Sequence, residues 1–248
     1  MVSKYGGPIF VIGKKKLIMI SVLIACRQID DYLIRTINSV SALKPQILVD
    51  VSHKSEEALG VRKNRLIDQA AYEWVLVLDT DEVISKSLLN EIKELLISSP
   101  SNINGYLIPY QNYIFGFPAR YSGEKYAKVR LFNKSHGSIT NLSIHEEVNI
   151  NGVTQKLKGV IHHYSYVSLP QVLRKFTRYA WQMAGEKKKA HEQVTLKKLF
   201  MYGGHMVWAR AIKDQGWRDG WQGVVIALCF GYMETLTYWL LLWRNIFR

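Results

Sequence analysis

The clearest pattern in the chain is a run of apolar residues that ends in a group of acids. Residues Trp74–Leu78 are all apolar, and Asp79, Asp81 and Glu82 follow almost at once. A continuous apolar run of this length, with two β-branched valines, predicts a strand that is buried on both faces. We therefore expect the carboxyl end of this strand to present acids to a cleft.

Apolar runs alternate with helical periodicity before this strand. Residues 17–25 and 46–51 predict strands, and residues 32–43 and 61–72 predict helices. Strand, helix, strand, helix and strand in this order predict an α/β fold, a mostly parallel sheet with helices on both faces. Ligands of such sheets bind beyond the carboxyl ends of the strands, which is where Asp50, Asp79 and Asp81 fall.

The middle of the chain predicts more strands than helices. A helix is expected over residues 85–98, and strands over 105–113, 128–132 and 157–166. Asn151-Gly152, between apolar flanks, predicts a hairpin turn. The segment 115–125, rich in glycine, proline and aromatic residues, predicts either a loop that covers a site or a packed aromatic turn.

The pattern changes after Pro170. Residues 171–190 and 196–212 predict basic helices, and residues 224–243 contain a single charge, Glu234. This last segment is long enough to span a bilayer, but a glutamate in its middle is costly in hydrocarbon. Five aromatic residues suit the headgroup level instead, namely Trp217, Trp221, Tyr238, Trp239 and Trp243. We therefore predict one domain over 1–168 and a helical region, membrane-associated, over 169–248. For residues 224–243 we favour a helix that lies at the membrane interface or packs on the domain over a true span.

Composition and charge narrow the class of protein. The 248 residues include 48% apolar and 21% charged ones, which is typical of a globular chain. The formal charge is +13, of which +8 falls in residues 171–248, interleaved with apolar stretches that favour a membrane over nucleic acid. The only cysteines, Cys26 and Cys229, lie far apart and indicate neither a disulfide framework nor a zinc site. A cytoplasmic setting is expected, and no export signal.

The acids after residue 78 have two interpretations. Asp79 and Asp81 can hold a divalent cation together with the phosphate oxygens of a ligand, which suggests chemistry on a nucleotide diphosphate. Alternatively, Asp81 or Glu82 caps the helix that begins near residue 85, where the helix dipole favours acids.

The order and spacing of the motifs resemble glycosyltransferase family 2, in particular its lipopolysaccharide-core and surface-polysaccharide glucosyltransferase-like branch. The likeness extends over residues 16–232. The matching elements are the loop 26–33 with Ser39-Val40, Asp50, Lys63-Asn64, residues 74–82, Val129–Phe132, Ile144-His145-Glu146, Ile161–Ser165, and Gly216–Gly220 with Gly223.

The resemblance implies a GT-A (Rossmann-like) fold and a hexosyltransferase. Such an enzyme moves a sugar, with inversion, from a nucleotide diphosphate sugar to a lipid-linked or cell-surface glycan, assisted by Mn²⁺ or Mg²⁺. It would work at the inner face of the cell membrane. The implied binding residues for the nucleotide sugar are Cys26, Gln28, Asp50, Lys63, Asn64, Asp79 and Arg130. The implied metal ligands are Asp79 and Asp81. We expect His163, or alternatively His162, to complete the metal shell, because imidazole binds divalent ions and the strand 157–166 would return toward the same cleft.

Glu146 is the residue that we expect to act as general base, and Glu147 is its nearest competitor. Other interpretations stay open. Both glutamates can be solvated loop acids, His163 can be hydrogen-bonded in a core, and Lys63 and Arg130 can form surface ion pairs.

Two departures from the family pattern support a rival function. Gln28 and Ile29 replace the usual Asn and acid, and the loop 51–56 lacks the usual Gly-Ser-Thr-Asp sequence. A membrane-peripheral protein that binds sugar nucleotides without transferring them is therefore the alternative. A nucleotidyltransferase is disfavoured because the loop 26–31 has no glycine to cradle phosphates.

Overall fold

The structure, a computed structural model, describes residues 9–12, 19–52, 57–98, 102–140 and 147–247. It has two compact units. The N-terminal unit is Met1–Tyr110 with Tyr126–His163, and the C-terminal unit is Gln111–Lys125 with Tyr164–Arg248. The predicted division after residue 168 stays a prediction.

Twelve strands and six α-helices form in the described part of the chain. The strands are β1 (Ile9–Ile12), β2 (Ile20–Cys26), β3 (Gln46–Val51), β4 (Trp74–Leu78), β5 (Glu82–Ile84), β6 (Gly105–Ile114), β7 (Phe117–Pro118), β8 (Ala127–Asn133), β9 (Gly137–Ile139), β10 (Val148–Ile150), β11 (Thr154–Lys156) and β12 (Ile161–Tyr166). The helices are α1 (Asp31–Val40), α2 (Leu59–Gln69), α3 (Lys86–Ser98), α4 (Leu169–Lys189), α5 (Leu196–Trp208) and α6 (Trp221–Phe247).

The sheet of the N-terminal unit is built around three parallel strands in the order β3, β2, β4. Antiparallel strands extend it on both sides, with β1 next to β3, and β8 then β6 next to β4. Strand β5 pairs antiparallel with β12. The predicted mixed α/β class is confirmed.

Both faces of the sheet are covered, as the continuous apolar sequence of β2 predicts. Every residue of β2 is buried. Val22 and Ile24 belong to one cluster with Leu33 of α1, whereas Leu23 belongs to a second cluster with Leu66 of α2. Successive strand residues point to opposite faces, so one strand needs apolar residues at every position to serve two layers of helices.

The predicted hairpin at Asn151-Gly152 is wrong. Strand β10, before this dipeptide, pairs antiparallel with β9, and β11, after it, lies parallel to β6. Asn151 and Gly152 therefore connect two strands that pair with different partners and not with each other. Gly152 has a positive φ of 125°, which explains the glycine but does not require a hairpin.

The core of the C-terminal unit lies between helices. Helix α6 places Ile226 and Phe230 in a cluster with Val172 and Phe176 of α4. The loop before β8 is held by Asp219, whose carboxylate accepts hydrogen bonds from the backbone N–H groups of Arg120 and Tyr121 and from Ser122 Oγ. The glycine- and tryptophan-rich turn after α5 therefore anchors a loop that lies about 100 residues earlier in the chain.

Helix α6 is, within the described residues, the one helix that is long and apolar enough to cross a membrane by length and composition. Of its most apolar 18-residue stretch, 44% is buried inside the protein. One side of α6 thus belongs to the core of the unit and the other side is exposed.

Candidate active site

The carboxyl ends of the parallel strands meet at one edge of the sheet. Ala25 of β2 pairs with Asp50 of β3, and Ile24 of β2 pairs with Leu78 of β4. The turn 79–82 follows directly, so Asp50 and the acids after β4 share the edge where ligands of such sheets bind. The Thr36 hydroxyl of α1 lies 2.8 Å from the Thr80 carbonyl oxygen and 2.7 Å from the Glu82 carbonyl oxygen, which share its single hydrogen, and it thereby holds this turn.

Asp79 is ion-paired through both of its carboxylate oxygens. Lys63 Nζ of α2 lies 2.7 Å from Oδ1, and Arg130 Nη2 of β8 lies 2.8 Å from Oδ2. Burial disfavours ionisation of Asp79, but the two cations outweigh it and hold its pKa well below the usual range. Asp79 is therefore the counterion of both Lys63 and Arg130. Its carboxylate fixes the two cations at the end of β4.

Glu82 also belongs to this network. The sequence did not single it out as a site residue. Its side chain is 1% exposed, and it accepts from Arg130 at 2.6 Å, from the Tyr110 hydroxyl at 2.8 Å and from the Asp79 backbone N–H at 3.0 Å. Arg130 Nε in turn donates to the Tyr110 hydroxyl. Burial raises the pKa of Tyr110 well above its usual value, so the phenol stays protonated.

The interpretation of Asp81 or Glu82 as a helix cap does not hold. Ser85 caps α3, since its Oγ accepts the Leu88 N–H at 3.1 Å. Glu82 belongs to the buried network, and Asp81 faces a histidine.

Asp81 and His163 face each other across two elements. Strand β12 pairs His163 with Glu82, which brings His163 Nε2 to 3.5 Å from Asp81 Oδ2. Burial disfavours the imidazolium, but hydrogen bonding to Asp81 and its charge outweigh this, so the pKa of His163 is raised. The side chains are 30% and 17% exposed, which leaves both within reach of a ligand.

A divalent cation would find two protein ligands here. The oxygens of Asp79 are already bound by cations, so Asp81 and His163 are the residues of this group whose donor atoms suit Mn²⁺ or Mg²⁺. Among the described residues, no group of three or more His, Cys, Asp or Glu side chains is arranged to hold a metal. A metal at this place therefore fits if oxygen atoms of a bound diphosphate supply further ligands.

The remaining predicted nucleotide-binding residues lie around this edge with defined partners. The carboxylate of Asp50 is buried and accepts from Arg62 Nε at 3.0 Å, and Arg62 also donates to the backbone carbonyl of Cys26 at 2.8 Å. Asn64 exchanges two hydrogen bonds with the backbone of Ile139 in β9. Gln28 is exposed and donates to Asp30, which caps α1.

Cys26 is buried, and burial is the main reason that its thiol pKa is raised. A protonated thiol at the end of β2 is a poor nucleophile.

Glu146, the predicted general base, lies outside the described residues, as does His145. The competitor Glu147 is described, and its backbone N–H donates to Thr140 Oγ1 at 2.9 Å next to the β9–β10 ladder. The identity of the base stays a prediction.

Comparison with known proteins gives matches to glycosyltransferases. No protein-family model matches the chain. An uncharacterized glycosyltransferase of Rickettsia typhi is 23% identical over 220 residues, covering 76% of this chain and 74% of the relative. One of Rickettsia prowazekii is 22% identical over 205 residues, covering 70% and 68%. These similarities support a glycosyltransferase.

Among solved structures, the fragment 1–349 of S. aureus TarS is similar over 92% of this chain and 92% of that chain, with 13% identity and a TM-score of 0.43. The same fragment in complex with UDP gives the same values.

Proposed function

We propose that this chain is an inverting hexosyltransferase of the family 2 type, which moves a sugar from a nucleotide diphosphate sugar to a lipid-linked or cell-surface glycan. The observation that carries the proposal is the cluster at the end of β4. There Asp79 holds two buried cations, Lys63 and Arg130, and Asp81, two residues further on, faces His163. The side chains of Asp81 and His163 are of the types that bind divalent metals.

The cluster suits a reaction in which negative charge develops on a departing diphosphate. Lys63 and Arg130 are held in place by Asp79 and Glu82 before any ligand binds, so their charge needs no rearrangement during the reaction. A divalent cation, when bound at Asp81 and His163, supplies Lewis-acid stabilisation of the same charge. Glu146 is the proposed base that removes the proton of the acceptor hydroxyl.

The apolar surface of the C-terminal unit supports a membrane-proximal acceptor. We use the name apolar belt for the exposed side chains of α5, its following turn and α6, namely Leu196, Phe200, Trp208, Ile212, Trp221, Leu228, Trp239 and Trp243. Phe200 and Trp239 touch edge to face at 5.9 Å, which joins the faces of the two helices. Exposed aromatic and aliphatic residues in a strongly basic region are typical of proteins that lie on an anionic bilayer.

A second function has one observation in its favour. The carboxylate of Asp50, which would contact the nucleotide base, is occupied by Arg62. A protein that binds a sugar nucleotide at the membrane surface without transferring the sugar is therefore the alternative.

A donor screen separates the two functions. Nucleotide release from a panel of nucleotide diphosphate sugars should be measured with and without Mn²⁺, for the wild type, for Asp81→Asn, and for Asp68→Asn as the control at an exposed position of α2. We expect metal-dependent turnover that falls by about 100-fold or more in Asp81→Asn and is unchanged in Asp68→Asn. Donor binding without turnover in the wild type would favour the alternative, and full turnover in Asp81→Asn would contradict the proposed site.

A further inference from the structure

The side chain of His163 has a neighbour at each of its two ring nitrogens. Nε2 lies 3.5 Å from Asp81 Oδ2, and Nδ1 lies 3.4 Å from the hydroxyl oxygen of Tyr126, the residue directly before β8. The two nitrogens lie on different edges of the imidazole, so the two contacts together define the rotation of the ring about its Cβ–Cγ bond. A ring turned over would place a carbon atom at the Tyr126 hydroxyl and lose this contact.

Tyr126 is held by both its backbone and its ring. The Tyr110 backbone N–H donates to the Tyr126 carbonyl at 3.0 Å, which joins β6 to the residue before β8. The rings of Tyr110 and Tyr126 are tilted by 31°, with centroids 5.0 Å apart, and Lys128 Nζ lies 5.5 Å from the centroid of the Tyr126 ring. Ring–ring and cation–ring contacts at these distances are attractive. The hydroxyl of Tyr126 is therefore presented at a defined position.

Tyr110 forms a wall against which the imidazole packs. Its ring meets that of His163 edge to face, with centroids 5.7 Å apart and an angle of 80° between the planes. The Tyr110 hydroxyl is bound to Glu82 and Arg130, so this ring is itself held by the buried network. The pairing of His163 with Glu82 fixes the main chain. The orientation of the imidazole thus follows from its strand, from Tyr110 and from Tyr126.

A histidine that ligates a cation through one ring nitrogen keeps its proton on the other. Metal-binding histidines nearly always donate this second N–H to an acceptor, which fixes both the tautomer and the orientation of the ring. In His163, Nε2 faces Asp81, the other candidate ligand, so Nδ1 is the nitrogen that has to keep the proton. The phenol oxygen of Tyr126 has lone pairs that accept from it.

A hydroxyl group suits His163 with and without a ligand at Nε2. When Nε2 carries the proton of a neutral imidazole and donates to Asp81, Nδ1 is an acceptor and the Tyr126 O–H can donate to it. When Nε2 is a ligand, Nδ1 carries the proton and the same oxygen accepts it. A carboxylate or a carbonyl at this place would serve only the second state. The tyrosine therefore satisfies Nδ1 in both.

We infer that Tyr126 is a positioning residue of the candidate metal site, whose hydroxyl accepts the Nδ1 proton of His163 and so directs Nε2 to the cation. Tyr126 acts through His163 and not as a ligand. The inference rests on the metal site within the proposed function. It adds to that site a residue that precedes the matching element Val129–Phe132 and belongs to none of the elements on which the family resemblance depends.

Mn²⁺ binding tests this inference without any turnover. Electron paramagnetic resonance of Mn²⁺ in the presence of uridine diphosphate gives the affinity of the full chain and of its variants. We expect Tyr126→Phe to bind Mn²⁺ about tenfold less tightly at an unchanged melting temperature, because loss of such a partner lowers metal affinity by about 10- to 100-fold while the ring still packs on Tyr110. Tyr106→Phe is the matched control and should bind as the wild type does. It removes a buried hydroxyl that has no hydrogen-bond partner among the described residues.

A double variant shows whether Tyr126 acts through His163. His163→Gln removes the imidazole and should weaken Mn²⁺ binding by itself. Adding Tyr126→Phe to His163→Gln should then weaken binding no further, since the two residues act as one unit. Electron spin echo modulation of the bound Mn²⁺ gives an independent signature. The modulation from a coordinated imidazole nitrogen should be present in the wild type, reduced in Tyr126→Phe and absent in His163→Gln.

The possible failures are distinguishable. Wild-type affinity and full nitrogen modulation in Tyr126→Phe, beside a loss in His163→Gln, would overturn the positioning role and leave the metal site intact. A further loss when Tyr126→Phe is added to His163→Gln would also overturn it, because Tyr126 would then act on another part of the site. Wild-type affinity in His163→Gln would contradict the metal site of the proposed function, and the role of Tyr126 with it.

Discussion

Glu82 is the residue that connects the fold of the N-terminal unit to its candidate chemistry. It is buried, it bears a charge, and it holds Arg130, Tyr110 and the backbone of Asp79 at once. Its partners along the chain lie 28 and 48 residues later, so their arrival at Glu82 depends on the pairing of β6 and β8. The sequence motif places an acid after Asp81, but only the tertiary structure shows that it faces inward.

Replacing Glu82 by glutamine is expected to lower the free energy of unfolding by about 2 to 4 kcal/mol. The substitution leaves the buried Arg130 with one counterion, Asp79, and an incompletely compensated charge is costly in the interior. Urea unfolding measures the change. Glu94→Gln, at an exposed position of α3, is the control and should stay within about 0.5 kcal/mol of the wild type. A Glu82→Gln protein as stable as this control would show that the network contributes nothing.

Glu192 gives the C-terminal unit a defined dependence on pH. Burial opposes its ionisation, but hydrogen bonds from Lys198, Lys187 and Tyr238 lower its pKa to about 2. A carboxyl with a lowered folded-state pKa contributes stability above its unfolded-state pKa, and this contribution is lost as the pH falls toward 2.

The difference in unfolding free energy between the wild type and Glu192→Gln should therefore be constant above about pH 5 and shrink from there to pH 2. Its size at neutral pH is expected to be about 1 to 2 kcal/mol, reduced from the full effect of the pKa shift because the side chain is partly exposed. Thermal unfolding of both proteins across this range measures it. If the difference in unfolding free energy between the two proteins grew on acidification, the lowered pKa of Glu192 would be contradicted.

At the scale of elements, helical and strand periodicity predicted the parallel part of the fold well. Strand β3 has the predicted bounds, Gln46–Val51, and β2 and α1 are shifted by a few residues at their ends. The short strands β9, β10 and β11 were not predicted, because three residues are too few to show alternation. All three residues of β11 are also exposed, so its sequence carries no apolar signal.

Helices α5 and α6 cross where glycines meet. A Cβ at Gly203 would lie 1.9 Å from Thr235 Oγ1 and 2.9 Å from the Gly231 carbonyl oxygen, whereas a Cβ at Gly204 would meet nothing within 4 Å. Two adjacent glycines of the same helix thus have opposite surroundings.

Gly203→Ala is expected to destabilise the protein by about 1 to 3 kcal/mol, because the backbone of Gly231 cannot move away as a flexible side chain can. Gly204→Ala should instead stabilise it by about 0.5 to 1 kcal/mol, since alanine forms helices better than glycine. Thermal unfolding of the two variants compares them directly. A stable Gly203→Ala protein would mean that the helices cross at a greater distance.

At the scale of the whole molecule, the chain combines a sheet edge that carries paired acids and buried cations with a basic, aromatic helical unit. The sequence predicted Asp79 and Asp81 from the acids after the apolar run, Lys63 and Arg130 with the help of the family resemblance, and His163 from its chemistry and its strand. The structure brings all five to the end of β4. The sequence could not predict that both carboxylate oxygens of Asp79 bind cations. This depends on how β8 and α2 pack next to β4 and so direct Arg130 and Lys63 at Asp79.

Membrane attachment has to be tested with point substitutions. Helix α6 contributes Ile226, Phe230 and Leu241 to buried clusters, so deletion of residues 222–248 would remove part of the core as well as the apolar belt. Trp239→Glu changes an exposed residue of the belt and should weaken sedimentation with anionic vesicles about tenfold or more at an unchanged melting temperature. Unchanged sedimentation would show that the belt does not contact the membrane.

The central claim is that Asp81 and His163, together with a bound diphosphate, hold a divalent cation at the end of β4. Electron paramagnetic resonance of Mn²⁺, titrated into the protein with and without uridine diphosphate, tests it most directly. The account predicts that the nucleotide strengthens Mn²⁺ binding in the wild type and in Asp68→Asn, and that Asp81→Asn loses this binding while it stays folded. Mn²⁺ bound by Asp81→Asn as tightly as by the wild type would contradict the account.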